Sequence, residues 1–419
     1  MTYLSLLFYL LSFLFQKATC FDFSCFLSIF EKPTNKHLAM KRIFSLLLLV
    51  SVALTGLAQG RWGAATEYPK VNEDNSVTFV VEARDAKRVS VVGDFTLQAG
   101  GDKRHFDMKR GENGVWTVTT PPLRSEIYSY NFYIDGVRTS DGRNMMRLRD
   151  GEQHFSSVIV GGERGDLYEV QDVAHGALHT VWYDSPTLSA SRRATIYLPA
   201  GYEQSKKKYP VLYLLHGMSG DETAWVELGR TAQIMDNLIA AGKCKEMIVV
   251  MTNGNAWQQC APTHLGGRAM QHYRNGQQGE PTFVESFGDV IKYVEDNYRV
   301  IHKREYRAIA GLSMGGGHTF QISREYPKMF DYVALFSAAV RGFNEPSTQQ
   351  ALKAQRDNGF KLYWIACGKD DFLYKLNRDY MAYLDTISFP YTWRESDGGH
   401  TWRNWRIYLS ELAPMLFVK

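Results

Sequence analysis

Residues 306–317 run Tyr306-Arg307-Ala308-Ile309-Ala310-Gly311-Leu312-Ser313-Met314-Gly315-Gly316-Gly317, an apolar segment that breaks at glycines around a serine. Tyr306 to Ala310 is short, apolar and free of alternation, the pattern of a strand covered on both faces. From Gly316 to Tyr326 the spacing is helical. Between them a G-x-S-x-G pentapeptide must turn the chain from strand into helix within a few residues. Glycines two positions either side of Ser313 stand where a side chain would collide in so tight a turn. The turn lifts the serine hydroxyl above the sheet, beside a helix N-terminus that favours developing negative charge. The pentapeptide alone is a weak signal, and its place between strand and helix is what carries the inference.

Working outward, Ala194 to Leu198, Val211 to Leu215, Met247 to Met251, Tyr332 to Phe336 and Lys361 to Ala366 repeat the same short apolar pattern. Helical segments run over Thr231 to Ala241 and Phe283 to Tyr298. The alternation predicts a parallel sheet flanked by helices, an α/β domain placed at residues 179–419. Upstream the regime changes. Val77 to Val81, Val89 to Val92, Val115 to Thr119 and Tyr128 to Ile134 are strand-like, and Asn113-Gly114 and Asp135-Gly136 are hairpin-type turns. Strands at this spacing predict a small β-sandwich over residues 66–161. The Gly-rich, charged run Gly161 to Asp166 opens a linker, 162–178.

The 419 residues are of ordinary globular composition, and the formal charge of +4 is spread thinly apart from Lys206-Lys207-Lys208. Nucleic-acid binding is therefore not expected. Residues 1–59 read as a leader. Met40-Lys41-Arg42, the apolar run Ile43 to Leu57 and then Ala58-Gln59-Gly60 have the three parts of a signal peptide, so the protein is expected to be secreted or periplasmic. An earlier apolar run, Tyr3 to Phe15, leaves open whether Met40 is the start or one long leader is used. Each run falls short of the ~20 apolar residues that span a bilayer. Cys244, Cys260 and Cys367 follow the leader, compatible with one disulfide or with three free thiols.

A serine hydroxyl is a poor nucleophile at neutral pH and needs a base to take its proton. In α/β-hydrolases the partners follow in the order Ser, Asp or Glu, His. Downstream of Ser313 stand only His318 and His400. His318, five residues along the helix, would point away from the serine. His400 lies in Asp397-Gly398-Gly399-His400-Thr401-Trp402, a glycine-rich loop after the strand-like Tyr391 to Arg394, and is the expected base. The acid should end the preceding strand, where Asp370 and Asp371 are both candidates and one of them would cap the next helix. For the oxyanion, the Met314 amide comes with the turn. A second amide is expected from His216-Gly217-Met218-Ser219-Gly220, either Met218 or Gly217; His216 itself would hold that turn. Trp225, Trp257, Trp402 and Trp405, with Tyr273 and His264, are candidate substrate contacts, and Asn253 to Gln278 is a candidate cleft-lining loop. No ligand spacing implies a metal, and no glycine-rich loop suits a nucleotide cofactor.

The catalytic half resembles the esterase-D-like branch of α/β-hydrolases, and most of all feruloyl esterases of carbohydrate esterase family 1. The resemblance rests on Pro210 to Gly220, Gly311 to Gly316, Phe330 to Ser337, Gly368 to Asp371 and Gly398 to Trp402. The G-x-x-D spacing from Gly368 in that family favours Asp371 as the acid. The resemblance implies hydrolysis of hydroxycinnamoyl esters on arabinoxylan-type plant polysaccharide, with acetylxylan or siderophore esters as the alternative. A glycan-binding protein whose hydrolase domain only scaffolds is the remaining one. The sandwich resembles early-set immunoglobulin-like modules related to carbohydrate-binding module family 48, through Val91 to Phe95, Gly114 to Val118 and Tyr128 to Gly136. It departs where glucan-binding members carry a tryptophan soon after Gly-Asp-Phe, since this chain reads Thr96-Leu97-Gln98, so a module that packs to shape the catalytic cleft stands beside a glycan-binding one as the reading of the sandwich.

Overall fold

The computed structural model describes residues 68–95, 105–151, 153–261 and 281–418. The leader, Thr96-Leu97-Gln98, His264 and Tyr273 lie outside the described residues.

Short strands come first: β1 (Lys70–Val71), β2 (Val77–Glu82), β3 (Val89–Gly93), β4 (Phe106–Asp107), β5 (Lys109–Arg110) and β6 (Val115–Thr119). They are followed by β7 (Glu126–Ile134), β8 (Val137–Thr139), β9 (Arg147–Asp150) and β10 (Gln153–Val160). They form two antiparallel sheets, β1-β2-β6-β5 and β4-β3-β7-β10-β9 with β8 on β7. Asp135 and Gly136, both at positive φ, make the two-residue turn from β7 to β8. Phe79, Phe95 and Tyr130 close the sandwich core, with ring centroids 5.2 and 4.7 Å from Phe79.

The second half holds β11 (Ala177–Ser185), β12 (Ala190–Leu198), β13 (Val211–Leu215), β14 (Ile248–Thr252), β15 (Arg307–Leu312), β16 (Tyr332–Phe336), β17 (Leu362–Gly368) and β18 (Thr392–Ser396). Their order in the sheet is β11-β12-β14-β13-β15-β16-β17-β18. From β14 to β18 the neighbours are parallel, as expected. The sheet is nevertheless mixed, because β12 pairs antiparallel with both β11 and β14. The hairpin β11–β12 escapes the sequence pattern because β11 is an edge strand with half its side chains in solvent.

Helices cover both faces: α1 (Gly165–Tyr168), α2 (Ala224–Glu227), α3 (Thr231–Ala240), α4 (Phe287–Asn297), α5 (Met314–Glu325), α6 (Pro346–Asn358), α7 (Tyr374–Thr386) and α8 (Trp402–Leu412). Alternate residues of one strand feed opposite cores: Val211, Tyr213 and Leu215 enter one, Leu212 and Leu214 the other. Ile127 and Leu148 of the sandwich join that second core beside Trp225 and Tyr168, so residues 68–419 form one compact unit. Among the described residues no helix is long and apolar enough to cross a membrane. Cys244, Cys260 and Cys367 are free thiols.

Candidate active site

Every reactive side chain sits where a sheet strand ends. β15 delivers Ser313 at φ 52° and ψ −114°, a strained backbone for a residue with a Cβ. The turn is held by Ser313 N–H to Phe336 O at 2.9 Å and by Ala339 and Gly317 amides to Ser313 O. A Cβ on Gly311 would lie 2.3 Å from Gly315 O, and one on Gly315 would lie 2.4 Å from His216 O. Both glycines are thus required by close backbone approach rather than by their own φ.

β18 leads into the loop that carries His400 to the same spot. His400 Nε2 lies 2.9 Å from Ser313 Oγ, and its Nδ1 lies 2.9 and 3.0 Å from the Asp371 carboxylate oxygens. With Nδ1–H donating to Asp371, Nε2 is left as the acceptor for the serine proton. A Cβ on Gly368 would lie 2.1 Å from Gly398 O, so the loops after β17 and β18 touch through glycines. Buried Asn404 of α8 ties the loop down by donating to Asp397 O at 2.9 Å and to Ser396 Oγ at 3.0 Å.

Asp371 is fully buried at its side chain and accepts the Leu373 amide at 2.8 Å as well as His400. Burial alone would raise its carboxyl, but hydrogen bonds from His400, Leu373 and Ser337 outweigh that and hold it below the ordinary value. Asp370 is exposed and points into the cleft without contacting His400. The residue that meets the histidine and the residue that closes the following turn are therefore the same one, Asp371, rather than two different aspartates.

The turn after β13 runs beside Ser313. Gly217 and Met218 line the cleft, and neither the Met218 nor the Met314 amide has an acceptor among the described residues. His216 holds this turn from beneath. Its Nδ1 donates to Gly217 O at 2.7 Å and its Nε2 accepts the Gly254 amide at 2.8 Å, while burial keeps the imidazole below its ordinary pKa. His318 packs against Phe283 and makes no contact with Ser313; burial pushes it down to about 3.

The aromatic candidates divide. Trp225 is 1 % exposed, donates to Leu215 O at 3.0 Å and packs edge-on against Phe336 and Trp402; buried beneath the cleft, it offers no face to a substrate. Trp257 is half-buried on the loop after β14 and does not line the cleft. That loop is pinned up to Ala261 by Glu222, which accepts from Asn253 and the Ala261 amide, and 253–261 stays out of the cleft. Trp402 and Trp405 do line it, Trp405 standing edge-on to the His400 ring at 4.9 Å. Two participants carry no motif signal. Phe372, 74 % exposed, lies 4.4 Å from the His400 ring, and Ser337 bonds both Asp371 and the Trp405 indole. The cavity around Ser313 and His400 has a volume of about 1060 Å³, and its far wall is the sandwich.

A family model described as "Putative esterase" matches residues 185–416, more than half of the 419-residue chain. The chain belongs to this esterase family. A second model, carbohydrate-binding module 48 (isoamylase N-terminal domain), matches residues 64–149 of the esterase. Over 363 residues the esterase is 31% identical to an endo-1,4-beta-xylanase/feruloyl esterase of Xylanibacter ruminicola, covering 84% of this chain. It spans 46% of that relative's length. A CE1 ferulic acid esterase from Anaeromyces mucronatus superposes with a TM-score of 0.50 at 24% identity, over 60% of this chain and 95% of its own. The enterobactin esterase of Shigella flexneri gives 0.57 at 17% identity, over 80% and 92%. At these identities the two structures speak for the α/β-hydrolase fold alone.

Proposed function

We propose that this protein is an exported serine esterase that cleaves hydroxycinnamoyl, above all feruloyl, esters on arabinoxylan-type polysaccharide. The observation that supports it most is the hydrogen-bonded chain Ser313–His400–Asp371 opening into a cavity with aromatic side chains at its mouth. Ser313 Oγ attacks the ester carbonyl as His400 Nε2 takes its proton, and Asp371 holds the tautomer and stabilises the imidazolium. The Met314 and Met218 amides receive the oxyanion, assisted by the N-terminus of α5. His400 then returns the proton to the departing sugar oxygen, leaving a Ser313 acyl-enzyme that water cleaves by the reverse sequence. Phe372, Trp402 and Trp405 offer ring faces and edges to a planar aromatic acyl group. Export rests on the signal-peptide pattern from Met40 to Gly60, and polysaccharide as the partner on the match to a carbohydrate-binding module and on the xylanase-linked relative.

Steady-state rates on methyl ferulate and 4-nitrophenyl acetate, followed by product analysis on arabinoxylan, test this. Released ferulate and a preference for the cinnamoyl ester are expected. Turnover of acetyl esters without any cinnamoyl turnover would replace the reading with an acetyl esterase that uses the same residues.

A further inference from the structure

The cavity that holds Ser313 and His400 is built from both halves of the chain, and its two walls differ in chemistry. On the hydrolase side Phe372, Trp402 and Trp405 cluster about the His400 ring. On the sandwich side Asp94, Ser129, Arg138 and Gln153 bring polar atoms, and Tyr133 and Phe155 bring rings. An ester whose carbonyl carbon meets Ser313 Oγ must send its acyl half one way and its alcohol half the other.

The sandwich wall is fixed relative to the serine. On one flank Arg149 of β9 bonds the Asp221 carboxylate at 2.8 and 3.0 Å and Thr223 Oγ1 at 2.7 Å, just after the Met218 turn. On the other, Glu126 of β7 accepts from Arg406 of α8 at 3.0 Å, with both side chains buried. Buried pairs of this kind hold a geometry, because separating them strands a charge.

In the same sheet Asp94, at the end of β3 and beside β7, lines the cavity. Its Oδ1 accepts the Ser129 amide at 2.9 Å, its own amide donates to Ser129 O at 3.2 Å, and Oδ2 has no partner among the described residues. The residue is exposed on the cavity side, and the protein crowded around it pushes the carboxyl up, against the pull of Arg406. A carboxyl held in place by one oxygen, with the other free in a cleft, is suited to neighbouring hydroxyls on one ring, the donors that a sugar presents.

We propose that Asp94 is a specificity-determining residue of the active site, hydrogen-bonding sugar hydroxyls on the alcohol half of the ester, so that the sandwich reads the glycan at the point of cleavage. The proposal rests on the esterase reading of Ser313 and His400. It assigns to the sandwich a subsite of the reaction rather than a separate anchoring site.

Two substrates with the same acyl group separate the roles: methyl ferulate, and a xylo-oligosaccharide bearing feruloylated arabinose. For Asp94→Ala, kcat/KM on the oligosaccharide should fall about tenfold or more, mainly through KM, while methyl ferulate stays within about twofold. Asp94→Asn should recover part of the loss. An equal loss on both substrates, or none on the oligosaccharide, overturns the proposal. Calorimetric titration of Ser313→Ala with an unferuloylated arabinoxylo-oligosaccharide gives an arm independent of the acyl group. Weaker binding in Ser313→Ala/Asp94→Ala sustains the subsite even if the native protein cleaves neither feruloyl ester, which would sink the feruloyl reading alone. Unchanged binding overturns the subsite.

Discussion

Ser313 occupies backbone angles that few non-glycine residues adopt, and the fold tolerates this because β15, β16 and α5 fix the turn from three directions. Its partner histidine is held just as firmly, by Asp371 at Nδ1 and by rings on two sides. Of the two adjacent aspartates only Asp371 reaches that nitrogen, so the two should respond very differently to substitution. Asp371→Asn should lower kcat on methyl ferulate about 10⁴-fold, because the amide would favour the wrong imidazole tautomer. Asp370→Asn should stay within roughly threefold. Comparable losses in both variants would contradict the assignment. The serine, the histidine and the aspartate pair were legible from motif and order, since the chemistry demands those residue types at strand ends. Phe372 and Ser337 were not, because a lone Phe or Ser in a loop has no pattern and acquires its role only through neighbours distant in sequence.

At the scale of elements, the turn between β9 and β10 acts as a brace. Arg149 grips Asp221 and Thr223, and Gly151, at φ 58°, lies so close to Ser219 that a Cβ there would sit 3.0 Å from Ser219 O. The turn it braces carries the Met218 amide. Arg149→Met should therefore lower kcat on methyl ferulate about 10-fold or more with little change in KM, since a misplaced oxyanion donor costs transition-state binding in particular. Arg149→Lys should restore part of it. A rise in KM at constant kcat would contradict a role in holding this turn. The strands that line the centre of the sheet were readable as apolar runs. β11 was not, because an edge strand with one wet face loses that signature, and with it went the antiparallel start of the sheet.

For the whole molecule, the sequence separates two regimes of composition and allows a sandwich that shapes the catalytic cleft, but nothing in it marks the contact between the halves. That contact is made by Glu126 and Arg149, charged residues that read as surface until the partner surface is seen. The stability of the folded unit also carries a buried titrating group. His318 is pushed down to about 3 by burial, with nearby His216 adding to the effect. As pH falls below about 6.5 the unfolded chain takes up a proton that the native one refuses, so stability is lost between about pH 6.5 and 3. That loss should reach about 2 kcal/mol at pH 5, and His318→Gln should remove it. Urea unfolding at pH 7 and pH 5 checks this: the wild type should lose more on acidification than the variant, and parallel losses would contradict it.

The proposed mechanism requires that Ser313 form the covalent bond to the acyl group. Rapid-quench intact mass spectrometry with methyl ferulate, followed by peptide mapping, tests this directly. A feruloyl adduct confined to Ser313, absent in Ser313→Ala and sharply slowed in His400→Ala, is expected. Full turnover by Ser313→Ala, or an adduct on another residue, would contradict it.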